Sequence, residues 1–204
     1  MGVKVHLPPA KPEANMCFGC NVRCCTLRID LTVYDIARLA SASRAPIPDF
    51  LVYTDAPAGD RFGFRSSGKL LKFVLAKKKD GLCVFFDGKG DLYCTIEDAK
   101  PSACLAYPMA LTREGVPVVR EDVMCPKENL KRADFNKMSK AVLEDYVWER
   151  DRHAEFVADW NMCAKGDEPP EEFLRFAASE LDLERVPWGR LVRYLKRKLL
   201  RLRP

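Results

Sequence analysis

The stretch CFGCNVRCC, residues 17–25, places four cysteines within nine positions of the chain: Cys17, Cys20, Cys24 and Cys25. Thiolate sulfur is a soft ligand that selects zinc, copper(I) and iron–sulfur clusters over hard ions such as magnesium. Cys17 and Cys20 are separated by two residues, a spacing that lets both sulfurs reach one ion across a tight turn. The stretch therefore predicts thiolate-bound metal around which the fold is organised.

Four more cysteines follow at wider intervals, which gives the chain eight candidate metal ligands. The eight are Cys17, Cys20, Cys24, Cys25, Cys83, Cys94, Cys104 and Cys125. The side chains of neighbouring residues such as Cys24 and Cys25 diverge in most backbone conformations, so the two will not easily bind one mononuclear ion. The sequence therefore predicts two metal centres, or one centre and a structural cysteine, and leaves Cys163 over.

A disulfide framework is the alternative explanation for so many cysteines. The cysteine count of nine is odd, and the opening residues 1–16 lack the apolar stretch of a secretory signal peptide. Where thiols stay reduced, such cysteine patterns more often bind metal or take part in catalysis. We therefore expect a cytoplasmic protein whose cysteines bind metal.

The formal net charge of +5 is concentrated at the end of the chain. Residues 185–204 contain eight arginine or lysine residues and no acid, so the remainder of the chain is net acidic. A nucleic-acid interface would need basic residues spread over one face of the folded body, so no specific nucleic-acid binding is predicted. No glycine-rich nucleotide-binding motif of the Walker or Rossmann type is found in the sequence.

The order of the predicted elements favours an α+β fold, with a small antiparallel sheet and short helices around the metal. Thr32 and Asp35 form a capping-box pattern ahead of a helix from Val33 to Ser41. A second short helix is predicted around DFLVY, residues 49–53, because two prolines end the first helix just before it.

The sheet is predicted from alternating apolar residues in RFGFR, LLKFVLA, LCVFF and DLYC, between residues 61 and 94. Its last hairpin carries Cys83 on one arm and Cys94 on the other. Since the arms of an antiparallel hairpin lie side by side, these two thiols are expected to share a site.

Helices are predicted to follow the cysteine-rich region, which divides the chain into a metal-binding domain (residues 1–126) and a helical extension (127–204). A long helix is expected over residues 127–162, and EEFLRFAASEL, residues 171–181, predicts a shorter one. The predicted buried face of the long helix consists of Leu130, Phe135, Met138, Val142, Leu143, Tyr146 and Val147.

The last predicted helix, from Trp188 to about Leu202, is amphipathic and basic. Such a helix can bind an acidic partner or an anionic membrane surface. It can equally pack on the body by its apolar stripe and expose its basic side.

Several cysteines and their flanking residues resemble the YkgJ-type cysteine-cluster family, whose domain is described as chelating zinc or iron. The resemblance rests on CFGCNVRCC, LTVYDIARL, DGLCVFF, DLYCTIEDAKPSACLAYP and the later Cys125–Pro126, and covers roughly residues 17–126. The chain departs from the family pattern in the three residues between Cys20 and Cys24, where two are usual. It also has Lys100 and Leu105 in place of two family arginines.

The resemblance implies a cysteine-bound metal centre and extends to flagellin lysine N-methylases, which are reported to contain a four-iron cluster. We therefore expect one or two iron–sulfur centres, with 4Fe-4S favoured over zinc, in a redox or catalytic role on an unidentified protein or small-molecule substrate. The alternatives are a protein lysine N-methylase-like enzyme, and a structural-zinc module that binds a partner or membrane through its basic helix.

Overall fold

The computed structural model describes residues 24–43, 45–87, 94–96, 99–120, 123 and 138–181. Short helices, small antiparallel sheets and two C-terminal helices confirm the α+β prediction. Cys17, Cys20 and Cys125, and the predicted basic helix from Trp188, lie outside these residues, as does the predicted domain boundary at residue 126.

The described elements alternate between helix and strand before the two C-terminal helices begin. In chain order they are a 3₁₀ turn (Cys24–Thr26), α1 (Val33–Ala42), α2 (Ile47–Phe50), β1 (Leu51–Asp55), β2 (Phe64–Ser66), β3 (Lys69–Leu75), α3 (Ser102–Ala106), β4 (Met109–Leu111), β5 (Pro117–Val119), α4 (Met138–Cys163) and α5 (Pro170–Glu180).

The main sheet has the strand order β1-β3-β2, with both neighbours antiparallel to β3. β1 covers one edge of β3 from Leu71 to Leu75. On the other edge, Leu31 donates its N–H to Phe73 at 2.9 Å, and Leu75 donates to Ile29 at 2.9 Å. The segment before α1 therefore pairs with the same edge of β3 as β2 does, but farther along that strand. This pairing brings the Cys24–Thr26 turn to the carboxyl end of β3.

Helix α1 begins as the capping-box pattern predicts. The Thr32 hydroxyl accepts a hydrogen bond from the Asp35 N–H at 3.1 Å, and the Asp35 carboxylate accepts one from the Thr32 N–H at 3.0 Å. The helix continues to Ala42, one residue beyond the predicted end, and most of its residues are buried. These two reciprocal bonds satisfy N–H groups that have no partner within the helix.

Replacing Thr32 with alanine is expected to lower the free energy of unfolding by about 1 kcal/mol, the usual cost of losing a threonine cap. Urea unfolding of the two proteins in the same metal state measures this difference. Ser179→Ala is the matched control, because the Ser179 hydroxyl donates to the Phe176 carbonyl near the exposed end of α5 and caps no helix start. An equal loss in both variants would contradict the capping argument.

The helix predicted around residues 49–53 is wrong in its second half. The structure has a single helical turn, α2, and then the chain enters β1, where Val52 pairs with Val74 and Tyr53 with Phe73. β-branched and aromatic residues fit a pleated sheet well. Pairing with β3 therefore decides the conformation of a segment whose local pattern favoured a helix.

The predicted hairpin with Cys83 and Cys94 forms only isolated pairs in the described residues. Cys83 pairs with Lys77 and Cys94 with Phe86, and residues 88–93 between the arms are not described. The β4–β5 hairpin was not predicted, because each of its strands has only three residues and shows too few alternations to be recognised.

The long helix α4 keeps part of the face predicted to be buried at its start. Leu143 is buried with Tyr146 packed against it, but Val147 is 39% exposed. Leu130, Phe135 and the side chain of Met138 lie outside the described residues. Farther along the helix the buried residues are His153, Phe156, Val157 and Trp160.

The core unites both predicted parts of the chain. Phe173 of α5 is fully buried and stacks on Phe64 of β2, with ring centroids 4.5 Å apart, and on Phe73 of β3 at 5.6 Å. Aromatic contacts of this kind add to the large apolar area that each ring buries. In the part of the chain that the structure describes, no helix has the length and apolar character needed to cross a membrane.

Candidate metal centre

Cys25 lies in the 3₁₀ turn beside the end of β3, directly against the segment that carries Cys83. The Cys83 N–H donates to the Cys25 carbonyl at 3.0 Å. Lys77 Nζ donates to the same carbonyl at 2.6 Å and also to the Leu27 carbonyl. The backbone and a lysine therefore hold these two cysteine segments together without using either sulfur.

Cys94 reaches the same region from the other arm of the interrupted hairpin. Phe86 donates its N–H to the Cys83 carbonyl at 3.0 Å and forms an antiparallel bridge with Cys94. The Thr95 N–H donates to the Phe85 carbonyl at 2.9 Å. A tight turn after Cys83 thus brings Cys94 opposite Phe86, and a site shared by the Cys83 and Cys94 thiols stays a prediction.

Cys104 lies in the short helix α3, which starts directly after Pro101. The Cys104 N–H donates to the Pro101 carbonyl at 2.8 Å, so the residue is in the first helical turn. The Ser102 N–H donates to the buried Asp35 carboxylate of α1 at 2.7 Å. Helix α1 therefore fixes the start of α3 and with it the position of Cys104.

Cys83 belongs to the main buried core, Cys25 and Cys94 pack against that core, and the charges of all three act on the thiol of Cys104. Burial is the largest cause that raises the pKa of Cys104, and the charges of Asp35, Cys83, Cys94 and Cys25 raise it further. Burial likewise raises the pKa of Cys83, with a contribution from Cys25, although a backbone N–H and two lysines oppose it. Cys25, Cys83, Cys94 and Cys104 are called here the four-thiol cluster.

The donor set of the four-thiol cluster fits a soft metal. Protonated thiols are poor ligands, and the raised pKa values keep Cys83 and Cys104 protonated until a cation displaces the protons. Among the described residues, no three Cys, His, Asp or Glu side chains already have the spacing at which they would hold an ion. Metal binding at this cluster would therefore require the side chains to close on the ion.

Of the four remaining predicted ligands, one lies within the described residues and three lie outside them. Cys24 begins the 3₁₀ turn, with its carbonyl accepting from the Leu27 N–H at 2.9 Å. Cys17, Cys20 and Cys125 lie outside the described residues, so their part in a metal site stays a prediction. No disulfide joins two of the described cysteines.

Cys163, the cysteine that the sequence left over, lies at the end of α4. It is exposed, and its thiol donates to the Trp160 carbonyl at 3.4 Å. It therefore stands apart from the backbone contacts that assemble the four-thiol cluster.

A buried ion network behind α3 was not predicted from the sequence. Arg38 of α1 contacts Asp35 at 3.3 Å, bonds the Glu149 carboxylate of α4, and donates to the Lys100 carbonyl at 3.2 Å. Burial disfavours the charged form of Arg38, but the charges of Asp35 and Glu149 outweigh it and raise its pKa. The sequence did contain a signal for this network: Arg38 falls within the apolar stretch DIARL, where a residue that faces solvent is not expected.

At Glu149 the effect of burial on the pKa outweighs the opposite charge of Arg38, whereas at Arg38 the neighbouring charges outweigh burial. Burial is the largest cause that raises its pKa, and the charge of Asp35 adds to it, while Arg38 opposes both. The network therefore brings two buried carboxylates against one guanidinium beside the helix that carries Cys104.

Comparison with known proteins gives a family and no individual relative. No curated protein and no solved structure gives a significant match to the chain. A family model, CxxCxxCC, described as "Putative zinc- or iron-chelating domain", matches residues 16–139, more than half of the 204 residues. The match includes the first cysteine stretch and the whole four-thiol cluster. The chain belongs to the CxxCxxCC family of zinc- or iron-chelating domains.

Proposed function

We propose that this protein binds an iron–sulfur cluster, with 4Fe-4S favoured, through cysteine thiolates that include Cys25, Cys83, Cys94 and Cys104. The observation that supports the proposal is the backbone pairing that joins the segments of Cys25, Cys83 and Cys94, together with the anchoring of the Cys104 helix by Asp35. Iron–sulfur clusters of the 4Fe-4S type are held by four cysteine thiolates. The bound cluster would supply electron transfer or substrate activation.

The local charges support a negatively charged thiolate cluster at this position. Lys77 and Lys78 both lower the pKa of Cys83, so they favour its ionised form. Lys77 is anchored by the carbonyls of Cys25 and Leu27, which keeps its charge beside the site. These contacts offset part of the cost of ionising buried thiols.

The predicted ligands outside the four-thiol cluster leave room for a second centre. Cys17, Cys20, Cys24 and Cys125 are enough for one further four-thiolate site. We propose that they hold a second metal or complete the first, in a protein of the cytoplasm where thiols stay reduced. The basic segment from Trp188 would then be available to an acidic partner or an anionic membrane surface.

Zinc is the second candidate, since the family description names zinc beside iron. A closed tetrahedral zinc site would be redox-inert and would stabilise the fold directly. The protein would then be a binding module whose metal has a structural role.

The test is anaerobic purification of the full chain, followed by metal analysis, acid-labile sulfide determination and visible absorption on one sample. Iron and sulfide in matching amounts, with absorption that bleaches on reduction, would support the proposal. Zinc alone in a colourless protein would overturn it in favour of the structural module. A titration of the iron-loaded protein with S-adenosylmethionine separates a methylase-like enzyme, which must bind this methyl donor, from an electron carrier.

A further inference from the structure

Asp35 is a buried carboxylate, 1% exposed, that contacts the helix bearing Cys104. It accepts hydrogen bonds from the backbone N–H of Ser102 at 2.7 Å and from the Ser102 hydroxyl at 3.5 Å. Ser102 is the first residue of α3, and Cys104 follows it within the same turn. The carboxylate therefore restrains the backbone from which the Cys104 side chain projects.

The same carboxylate is held rigidly from its own side. The Thr32 N–H and the Thr32 hydroxyl each donate to Asp35 Oδ2 at 3.0 Å, and Arg38 Nη1 lies 3.3 Å from Oδ1. Arg38 is shared with Glu149, so a single guanidinium faces two carboxylates. Asp35 is therefore a buried carboxylate in direct contact with Ser102, two residues before Cys104 in the same helical turn, and it shares its guanidinium partner with Glu149.

We propose that Asp35 is a positioning residue of the metal centre, which holds the Cys104 ligand through Ser102 and lowers the midpoint potential of the cluster through its charge. The inference rests on the proposed iron–sulfur function. One-electron reduction adds a negative charge to the cluster, so a nearby buried carboxylate disfavours the reduced form. Charge and hydrogen bonding around a cluster are known to set its potential.

The experiment is a redox titration of the iron-loaded full chain, with dithionite as the electron donor and visible absorption as the readout. Asp35→Asn removes the charge and keeps one oxygen that can accept from Ser102. We expect the midpoint potential to rise by about 59 mV, which corresponds to a tenfold change in the one-electron reduction equilibrium. Asp35→Glu keeps the charge and is expected to stay near the wild-type potential.

Asp151→Asn is the matched control, since Asp151 is an exposed aspartate of α4 that pairs with the exposed Arg61. Its potential should equal that of the wild type. An unchanged potential in Asp35→Asn, or an equal rise in Asp151→Asn, would overturn the inference while leaving the cluster itself established. A wild-type protein without a cluster would instead overturn the proposed function, and this inference with it.

Arg38→Gln provides a second test if Asp35→Asn does not fold, as judged by circular dichroism. This change removes the positive charge that faces Asp35. The potential should then fall, in the direction opposite to that expected for Asp35→Asn. A rise, or no change, would contradict the role assigned to the carboxylate.

Discussion

Replacing Cys104 with serine is expected to lower the metal affinity of the protein more than about 100-fold, beyond the usual cost of losing an outer-shell partner. Serine has nearly the same shape, but its hydroxyl does not ionise to a soft ligand near neutral pH. Cys104 follows Ser102, whose N–H is held by the buried Asp35 carboxylate of α1, so a neighbouring side chain cannot easily take its place. Metal content after anaerobic reconstitution and competition with a chelator measure the effect.

Cys163→Ser is the matched control for this substitution. The Cys163 thiol is exposed at the end of α4 and contacts only a backbone carbonyl in the bonds described for it. Metal content and absorption should therefore match those of the wild type. Retention of the full metal content by Cys104→Ser would show that this thiol is not a ligand and would remove the central member of the four-thiol cluster.

The second large expected effect is a loss of stability in acid through His153. This residue of α4 is 1% exposed and lies among aromatic rings, stacked on Phe62 at a centroid distance of 5.9 Å, with Phe73 and Phe173 each 6.1 Å away. Its Nδ1 atom has no hydrogen-bond partner within the described residues. The imidazole is thus buried in its neutral form.

Burial is the main cause that lowers the pKa of His153 to about 3, the charge of Arg150 lowers it further, and Asp60 opposes both. An unfolded chain protonates the same histidine near its ordinary pKa of about 6.5. Below that pH the unfolded state binds one more proton than the folded state, so stability falls as the pH falls. The slope is about 1.4 kcal/mol per pH unit, which gives a loss of up to about 5 kcal/mol between pH 6.5 and 3.

His153→Phe is expected to remove this part of the pH dependence, because the aromatic surroundings accept a ring that does not titrate. Urea unfolding of both proteins between pH 4 and pH 7, in the same metal state, gives two stability curves whose separation should grow in favour of the variant as the pH falls. Carboxylates such as Asp60 titrate in both proteins and cancel in the difference. Parallel curves would show that His153 is not buried neutral in the folded protein.

The two substitutions change different parts of the molecule, so the metal measurement and the stability measurement can be interpreted separately. The Cys104 variant tests the proposed metal site, whereas the His153 variant tests the packing of α4 on the sheet. A protein that loses metal in Cys104→Ser and keeps the wild-type acid sensitivity would place the metal outside the α4 core.

Local sequence patterns were sufficient for the elements that carry their own start signals. The capping box at Thr32 and Asp35 predicted the start of α1, and the amphipathic stretch at residues 171–181 predicted α5 to within a residue at each end. Both predictions held because capping bonds and helical periodicity involve residues only a few positions apart. Strand β1 had no such signal, and its pairing with β3 decided its conformation.

The sequence by itself determined that this is a cysteine-rich metal-binding domain, because the spacing of thiols and the residues around them carry the family pattern. Only the tertiary structure decided that the Cys25 segment lies against Cys83 and that Asp35 of α1, with Arg38, contacts the helix of Cys104. Cys25 and Cys104 lie 79 positions apart in the chain. These contacts join residues from distant segments, which spacing along the chain does not encode.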